Sequence, residues 1–420
     1  METQARGVRN RWLIVVAAIF MQLALGAVYA WSVFVKPLRD ANPDWNVTDV
    51  TLTFTLAIFF LGIGSTIGGF WMDRSGPRIV ATAAGVCYGV GVFLSGFAYH
   101  NLYLLWFAYG VLGGLGMGLG YIVPVATLVK WFPDRRGLIT GLAVGGFGAG
   151  ALITAPVATS LIQTPGIGVP LTFNILGIVY FIFVVVAAQA YTNPPEGYRP
   201  PGWEPSSLVL SQRATHDYTL GEALHTWQWY ALWAMLFLNV SAGIMVISQA
   251  APMAENITGV SSIVAAGLVS LISIANGAGR VFWAWLSDMI TRRYTYLALF
   301  LVQVVVFLLM TQARSFGLFA VLAFIVGLCY GGGFGTMPSF AADYFGPKYS
   351  GFVYGTMLTA WGAGGILGPI LIARVKDLTD SYTQAMVIIA VIMLVSAILP
   401  LIVHPPTTDR RAPAQAPART

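Results

Sequence analysis

Charge is what this chain has least of. Of its 420 residues only 9% are Asp, Glu, Lys or Arg, against about 25% in a soluble domain. A water-facing surface cannot be made at that density, so a soluble fold is excluded and a polytopic membrane protein is implied. Cysteine is nearly missing. Cys87 and Cys329 both fall inside apolar runs, which excludes a disulfide framework. The four histidines, His100, His216, His225 and His404, lie at run ends or in loops. No metal cluster and no nucleophile–base pair falls within the apolar runs, so neither a cofactor nor an enzyme is expected. The glycine-rich stretches Gly113–Gly120 and Gly145–Gly150 lack a following Lys-Ser/Thr and sit inside apolar runs. They are read as close helix contacts, not nucleotide loops. The net charge of +6 reads as basic loops, not as a nucleic-acid surface. No segment is long enough to form a signalling domain, which argues against a receptor.

What is present is hydrophobic: 57% of the residues, with 47 glycines and 13 tryptophans. Twelve apolar runs are long enough to span a bilayer, at 11–36, 49–72, 78–99, 101–130, 137–163, 169–191, 226–252, 259–287, 294–312, 315–343, 350–374 and 380–403. The fold class expected is all-α, with twelve transmembrane helices in two pseudo-symmetric six-helix halves. The first run follows Arg6, Arg9 and Arg11 but ends in no small-residue cleavage site, so it is expected to be an uncleaved helix. Of the 22 basic residues, 16 fall on the side that holds both termini. That asymmetry predicts cytoplasmic termini in a plasma membrane, a prokaryotic inner membrane. The expected organisation is an N-terminal bundle at 1–191, a cytoplasmic linker at 192–225, a C-terminal bundle at 226–404 and a disordered tail at 405–420. Within the linker, Thr219–Leu224 reads as a short surface helix.

The halves repeat. Asp73 and Asp288 correspond, as do Arg78 and Arg293. Phe132 pairs with Phe345, and FGAGALITAP in the fifth run pairs with WGAGGILGP in the eleventh. Transporters are often made of such repeats, with the substrate site near the midplane between them. The pattern Gly69, Asp73, Arg74, Gly76, Arg78 resembles the loop signature of the major facilitator superfamily. Ala284 and Thr291 replace the glycines in the second copy. The resemblance implies charge contacts that gate the cytoplasmic side, through Asp73, Arg74, Arg78, Arg135, Arg136, Asp288, Arg292 and Arg293. The stretches GAVYAWSVF (Gly26–Phe34), KWFPDRRGLITG (Lys130–Gly141) and DYTLGEAL (Asp217–Leu224) are similar to the oxalate:formate antiporter and monocarboxylate transporter group.

Arg280 interrupts the eighth run about 12 Å from Asp288, at 1.5 Å per residue. A central Arg costs about 2.5–3.5 kcal/mol to insert, and no carboxylate falls at its depth. Asp73, Asp288, Asp343 and Asp377 all sit near run ends. Its planar fork suits a carboxylate; a structural Arg bonded to backbone carbonyls is the other reading. Asn276, one turn away, shares its face and either binds substrate or makes a helix–helix contact. The remaining wall is expected from Tyr121, Tyr330, Phe334, Trp361, Tyr29, Val28, Leu142 and Phe147.

The related groups carry an arginine on the eighth helix too. Monocarboxylate transporters commonly have an aspartate where Asn276 stands, proposed to take part in proton coupling. They also tend to have a lysine in the first helix, and none lies between Trp12 and Phe34. The oxalate:formate antiporter has a second cation where Trp361 stands. One pocket cation suggests a monoanion. The expected function is therefore transport of small monocarboxylates (L-lactate, pyruvate or similar) by alternating access, as proton symport. The alternative is proton-independent exchange. The partners implied are a small carboxylate anion, protons and the lipid bilayer, with the chain working as a monomer.

Overall fold

The computed structural model describes residues 10–45, 47–204, 216–379 and 381–406. Arg6, Arg9, Arg213 and tail residues 407–420 lie outside them. Among the described residues the regular secondary structure is all helical, without strands. All twelve apolar runs form helices. The first half contains α1 (Arg11–Leu25, continued by a 3-10 turn Gly26–Trp31 and by Ser32–Ala41), α2 (Val47–Ser75) and α3 (Pro77–Ser95). It is completed by α4 (102–131, π-helical over Trp106–Gly113), α5 (Arg136–Gln163) and α6 (Gly168–Ala188). The second half has α7 (Trp227–Thr258), α8 (Ser262–Ile290), α9 (Arg292–Met310) and α10 (Phe316–Phe345). Its last two helices are each in two pieces: α11 (Ser350–Met357 and Thr359–Thr379) and α12 (Thr383–Ser396 and Ile398–Ile402).

Among the described residues, ten helices are long and apolar enough to cross a membrane by composition alone. The other two helices, α8 and α11, both contribute to the site described below.

Apolar side chains gain little by leaving lipid for another helix, so helix pairs are held by close packing. The repeat shows how. A Cβ on Gly118 would collide with the Leu61 carbonyl, where α4 meets α2. A Cβ on Gly331 would collide with the Asn276 carbonyl, where α10 meets α8. These are equivalent contacts in the two halves. The halves meet chiefly through α5 against α8 and α2 against α11.

Both described chain ends lie at one end of the bundle. Arg11 makes a two-pronged ion pair with Asp134 in the α4–α5 loop, at 2.8 and 3.1 Å. Tyr218 of the linker donates its hydroxyl to the Pro406 carbonyl. A short helix Leu220–Leu224 follows, opened by a capping box of Thr219 and Glu222. The Thr219 backbone N–H and hydroxyl hold the Glu222 carboxyl below the usual carboxylate range.

The α2–α3 and α8–α9 corners also repeat. Gly76 has φ 80°, ψ 166°, and its counterpart Thr291 has φ 82°, ψ 152°. That region is essentially reserved for glycine, and a β-branched residue there stores about 1–3 kcal/mol. Thr291→Gly is therefore expected to raise the melting temperature measured in detergent, while Gly76→Thr lowers it.

Candidate functional site

Arg280 is placed by backbone contact. Gly327, Gly331 and Gly335 recur every four residues on α10, and they face the carbonyls of Ile272, Asn276 and Arg280 on α8. With no Cβ between them, the α8 backbone lies in a groove of α10. This fixes the direction in which Asn276 and Arg280 project, toward the first half.

The guanidinium is wholly buried, at 0% exposure. Its Nε donates to Asn276 Oδ1 at 3.2 Å, and its Nη1 donates to the Val144 carbonyl of α5 at 3.3 Å. Among the described residues Nη2 has no hydrogen-bond partner. Among the described residues the buried charged side chains are Arg136, Arg280 and Arg292. Arg136 and Arg292 both pair with Asp343. Arg280 makes no ion pair. The reading of Arg280 as a structural residue tied to carbonyls thus accounts for one of its nitrogens, and Asn276 for another.

Aromatic rings enclose the guanidinium. Its Cζ stands 5.0 Å from the Phe334 ring centre and 5.4 Å from that of Phe147, within cation–π range. Trp361 packs on Phe334 at 4.5 Å, on Tyr121 at 5.6 Å and on Phe147 at 5.7 Å between centroids. Tyr29 meets Phe147 at 5.4 Å, and Tyr330 meets Phe334 at 5.3 Å. Six helices contribute: α1, α4, α5, α8, α10 and α11. Two of them depart from regular α geometry here. The 3-10 turn of α1 carries Tyr29, and the break at Leu358 comes just before Trp361. Broken helices at a midplane cluster are common in transporters. The hydroxyls of Tyr29, Tyr121, Tyr330 and Tyr354 and the indole N–H of Trp361 are buried without a hydrogen-bond partner among the described residues. A buried polar group left unmade costs about 1–3 kcal/mol. Arg280 and these five groups therefore form a site that favours an anion with several acceptor oxygens.

Of the residues expected from sequence, Arg280, Asn276, Tyr121, Tyr330, Phe334, Trp361, Tyr29 and Phe147 come together. Val28 is buried in the hydrophobic core. Leu142 does not join the cluster. It is 37% exposed and faces an outer groove between α5 and α8, because it points away from the face that carries Val144 and Phe147. Tyr354 was missed; its only sequence signal is its place in the Tyr354-Gly355 pair of α11.

The expected gate residues divide. Asp73 accepts the Phe352 backbone N–H of α11 at 3.1 Å and faces Lys130 at 3.6 Å. Asp288 accepts the backbone N–H groups of Gly137 and Leu138 at 3.0 and 2.8 Å. Each aspartate thus caps the first turn of a helix in the opposite half, where the helix dipole favours a negative charge. Arg136 reaches across the halves to Asp343 at 2.6 Å. Arg292 bridges Asp343 and Asp288 at 3.1 and 2.6 Å. Arg293 stays within its own half and donates to the Pro400 and Leu401 carbonyls. Arg74 lies over the Phe70 ring, while Arg78 and Arg135 are exposed. Asp343 and Lys130 belong to this network although the loop signature omits them. The repeat carried the signal, since both immediately precede the matched Trp131-Phe132 and Tyr344-Phe345 pairs.

A helical bundle of two repeated halves, with a buried cation between them and one end closed by charged caps, is a membrane transporter. The chain belongs to the major facilitator superfamily, whose family model matches residues 10–369 and 232–420. It is 33% identical over 360 residues to the uncharacterized MFS-type transporter YhjX of Escherichia coli strain K12, across 85% of this chain and 86% of that one. It is 28% identical over 370 residues to the oxalate:formate antiporter of Oxalobacter formigenes, across 86% of this chain and 83% of that one. Among solved structures, the transporter FucP in its outward conformation has the same fold. The TM-score is 0.72 at 15% identity, over 93% of this chain and 97% of FucP.

The caps lead to a test. Asp288→Ala removes two charge-assisted hydrogen bonds that join the halves, a loss of about 1.5–3 kcal/mol. A cysteine at Thr140, buried beside Ser339 of α10, is then expected to react with a maleimide at least tenfold faster than in the Thr140→Cys parent. Equal rates would show that Asp288 does not hold this end closed.

Proposed function

We propose that this chain is a secondary active transporter of small monocarboxylates, L-lactate, pyruvate or a close analogue, moved with a proton by alternating access. Residues 1–191 rock against 226–404, and the end holding both termini is cytoplasmic. Arg280 receives the carboxylate. Asn276 holds Nε of the guanidinium in place, and Tyr29, Tyr121, Tyr330, Tyr354 and Trp361 supply further hydrogen bonds. The observation that carries this reading is Arg280 itself, a fully buried guanidinium that among the described residues has no ion-pair partner and an unpartnered Nη2. A carboxylate neutralises that charge and thereby lowers the cost of closing the halves around it, which couples binding to the transition. One fixed cation suits one negative charge. Trp361 stands where the related antiporter has a second cation, so oxalate is disfavoured.

Arg280→Lys keeps the charge but loses the fork. It should cut proteoliposome uptake of L-lactate at sub-saturating concentration roughly 10–100-fold, the equivalent of about 1.5–3 kcal/mol. Uptake near wild type in that variant would remove the assignment.

A second reading, exchange of two monocarboxylates without protons, is favoured by a specific observation. Among the described residues no carboxylate or imidazole is buried beside Arg280, and Asn276 cannot titrate. The symport reading places the proton on the substrate–Arg280 pair or on Asp288 nearer the cytoplasm. An imposed pH gradient separates the two. Lactate-loaded vesicles that are acidic outside accumulate labelled lactate under symport and only exchange it under antiport.

A further inference from the structure

Outside the aromatic cluster lies a second concave feature. A groove of about 410 Å³ runs between α1, α5 and α8, within the roughly 300–1,000 Å³ typical of ligand pockets. Ile19 and Leu23 form one wall, Leu142 and Leu152 another, and Ile274 and Val281 the third. At its floor Gly148 approaches Gly277 so closely that a Cβ would come within 2.8 Å of the Gly277 Cα. The first two walls belong to one half and the third to the other, so an occupant touches both halves at once.

We infer that this groove binds a phospholipid acyl chain, and that the bound chain stabilises the arrangement in which the terminal end is closed. Depth identifies the occupant. Leu142 lies six residues from the start of α5 and Leu152 eleven from its end, or about 9 and 16 Å at 1.5 Å per residue. That is the hydrocarbon zone of a bilayer. The groove is continuous with exposed apolar residues Leu142, Leu152, Ile153 and Ile274, so it opens sideways into lipid tails. Its walls are aliphatic apart from Ser273, and water would find few partners there. An unfilled groove would forfeit dispersion contacts along its whole lining.

The coupling to conformation rests on the alternating-access reading; the site itself does not. Beside the groove, α5 and α8 touch tightly toward the closed end, where Gly137 and Gly141 meet the Ala284 and Arg280 carbonyls. Rocking that opens this end must change the angle between α5 and α8, and with it the groove. A chain that fits only one of the two shapes shifts the population toward that shape.

The test uses the full chain in nanodiscs of phosphatidylcholine that carries a mid-chain diazirine. Peptides spanning 142–152 and 273–281 are expected to label at least fivefold more than the exposed stretch Leu171–Ile182 of α6. Ala149→Phe and Ala278→Phe, which each fill the groove from a different wall, should reduce that labelling at least fivefold and leave α6 unchanged. Equal labelling of groove and α6, or groove labelling that both variants leave intact, overturns the acyl-chain site. A melting curve for each variant separates lost folding from lost binding, and either variant alone suffices. For the conformational part, the Thr140 cysteine should react faster in Ala149→Phe and Ala278→Phe, which exclude the chain, than in its parent; equal or slower reaction in both variants overturns the stabilisation of the closed end. Normal uptake by Arg280→Lys would defeat the monocarboxylate reading without altering any labelling outcome.

Discussion

A guanidinium cannot be left bare in a medium of low dielectric, and the organisation of this transporter follows from that constraint. Arg280 is insulated from water, held at two nitrogens by neutral acceptors, and surrounded by ring faces that offer only weak compensation. The other two buried arginines, Arg136 and Arg292, are satisfied by Asp343. The molecule therefore keeps two kinds of buried cation. One kind is spent on holding an end shut. The other, Arg280, has no carboxylate partner among the described residues.

The repeat makes the same division visible. Ser65 is the first-half counterpart of Arg280, at the spacing that relates Gly76 to Thr291. It satisfies itself by donating to the Gly118 carbonyl at 3.1 Å. A duplicated scaffold thus carries one charged position and one neutral one at equivalent places. The gate keeps the symmetry that the site has lost. Asp73 caps α11 and Asp288 caps α5, each across the boundary between halves. Because the caps are made to backbone N–H groups, they depend on helix position and not on side-chain identity in the opposite half.

Much of this could be read from the chain. The low charge, the twelve runs and the internal repeat defined the class and the number of helices. The depth of Arg280 in its run singled it out without reference to any partner. The aromatic residues were legible as candidates because so few polar-tipped side chains occur within the runs. Leu142 looked equivalent to Phe147 on paper, since an apolar residue on an apolar helix carries no mark of which face it occupies. Asp343 and Tyr354 were hidden for a related reason. A run-end aspartate and a buried tyrosine are each unremarkable until a second helix is laid beside them.

The sequence by itself determined that this protein lives in a bilayer, that it is duplicated, and that one cation is stranded deep within it. These are consequences of composition and period, which act along a single helix. Only the tertiary structure decided what that cation faces. The glycine contacts between α8 and α10 set its direction, the 3-10 turn of α1 and the break in α11 bring Tyr29 and Trp361 to it, and Asp343 is drawn off to the other two arginines. Such choices depend on distances between helices far apart in the chain, where packing and not local pattern sets the outcome.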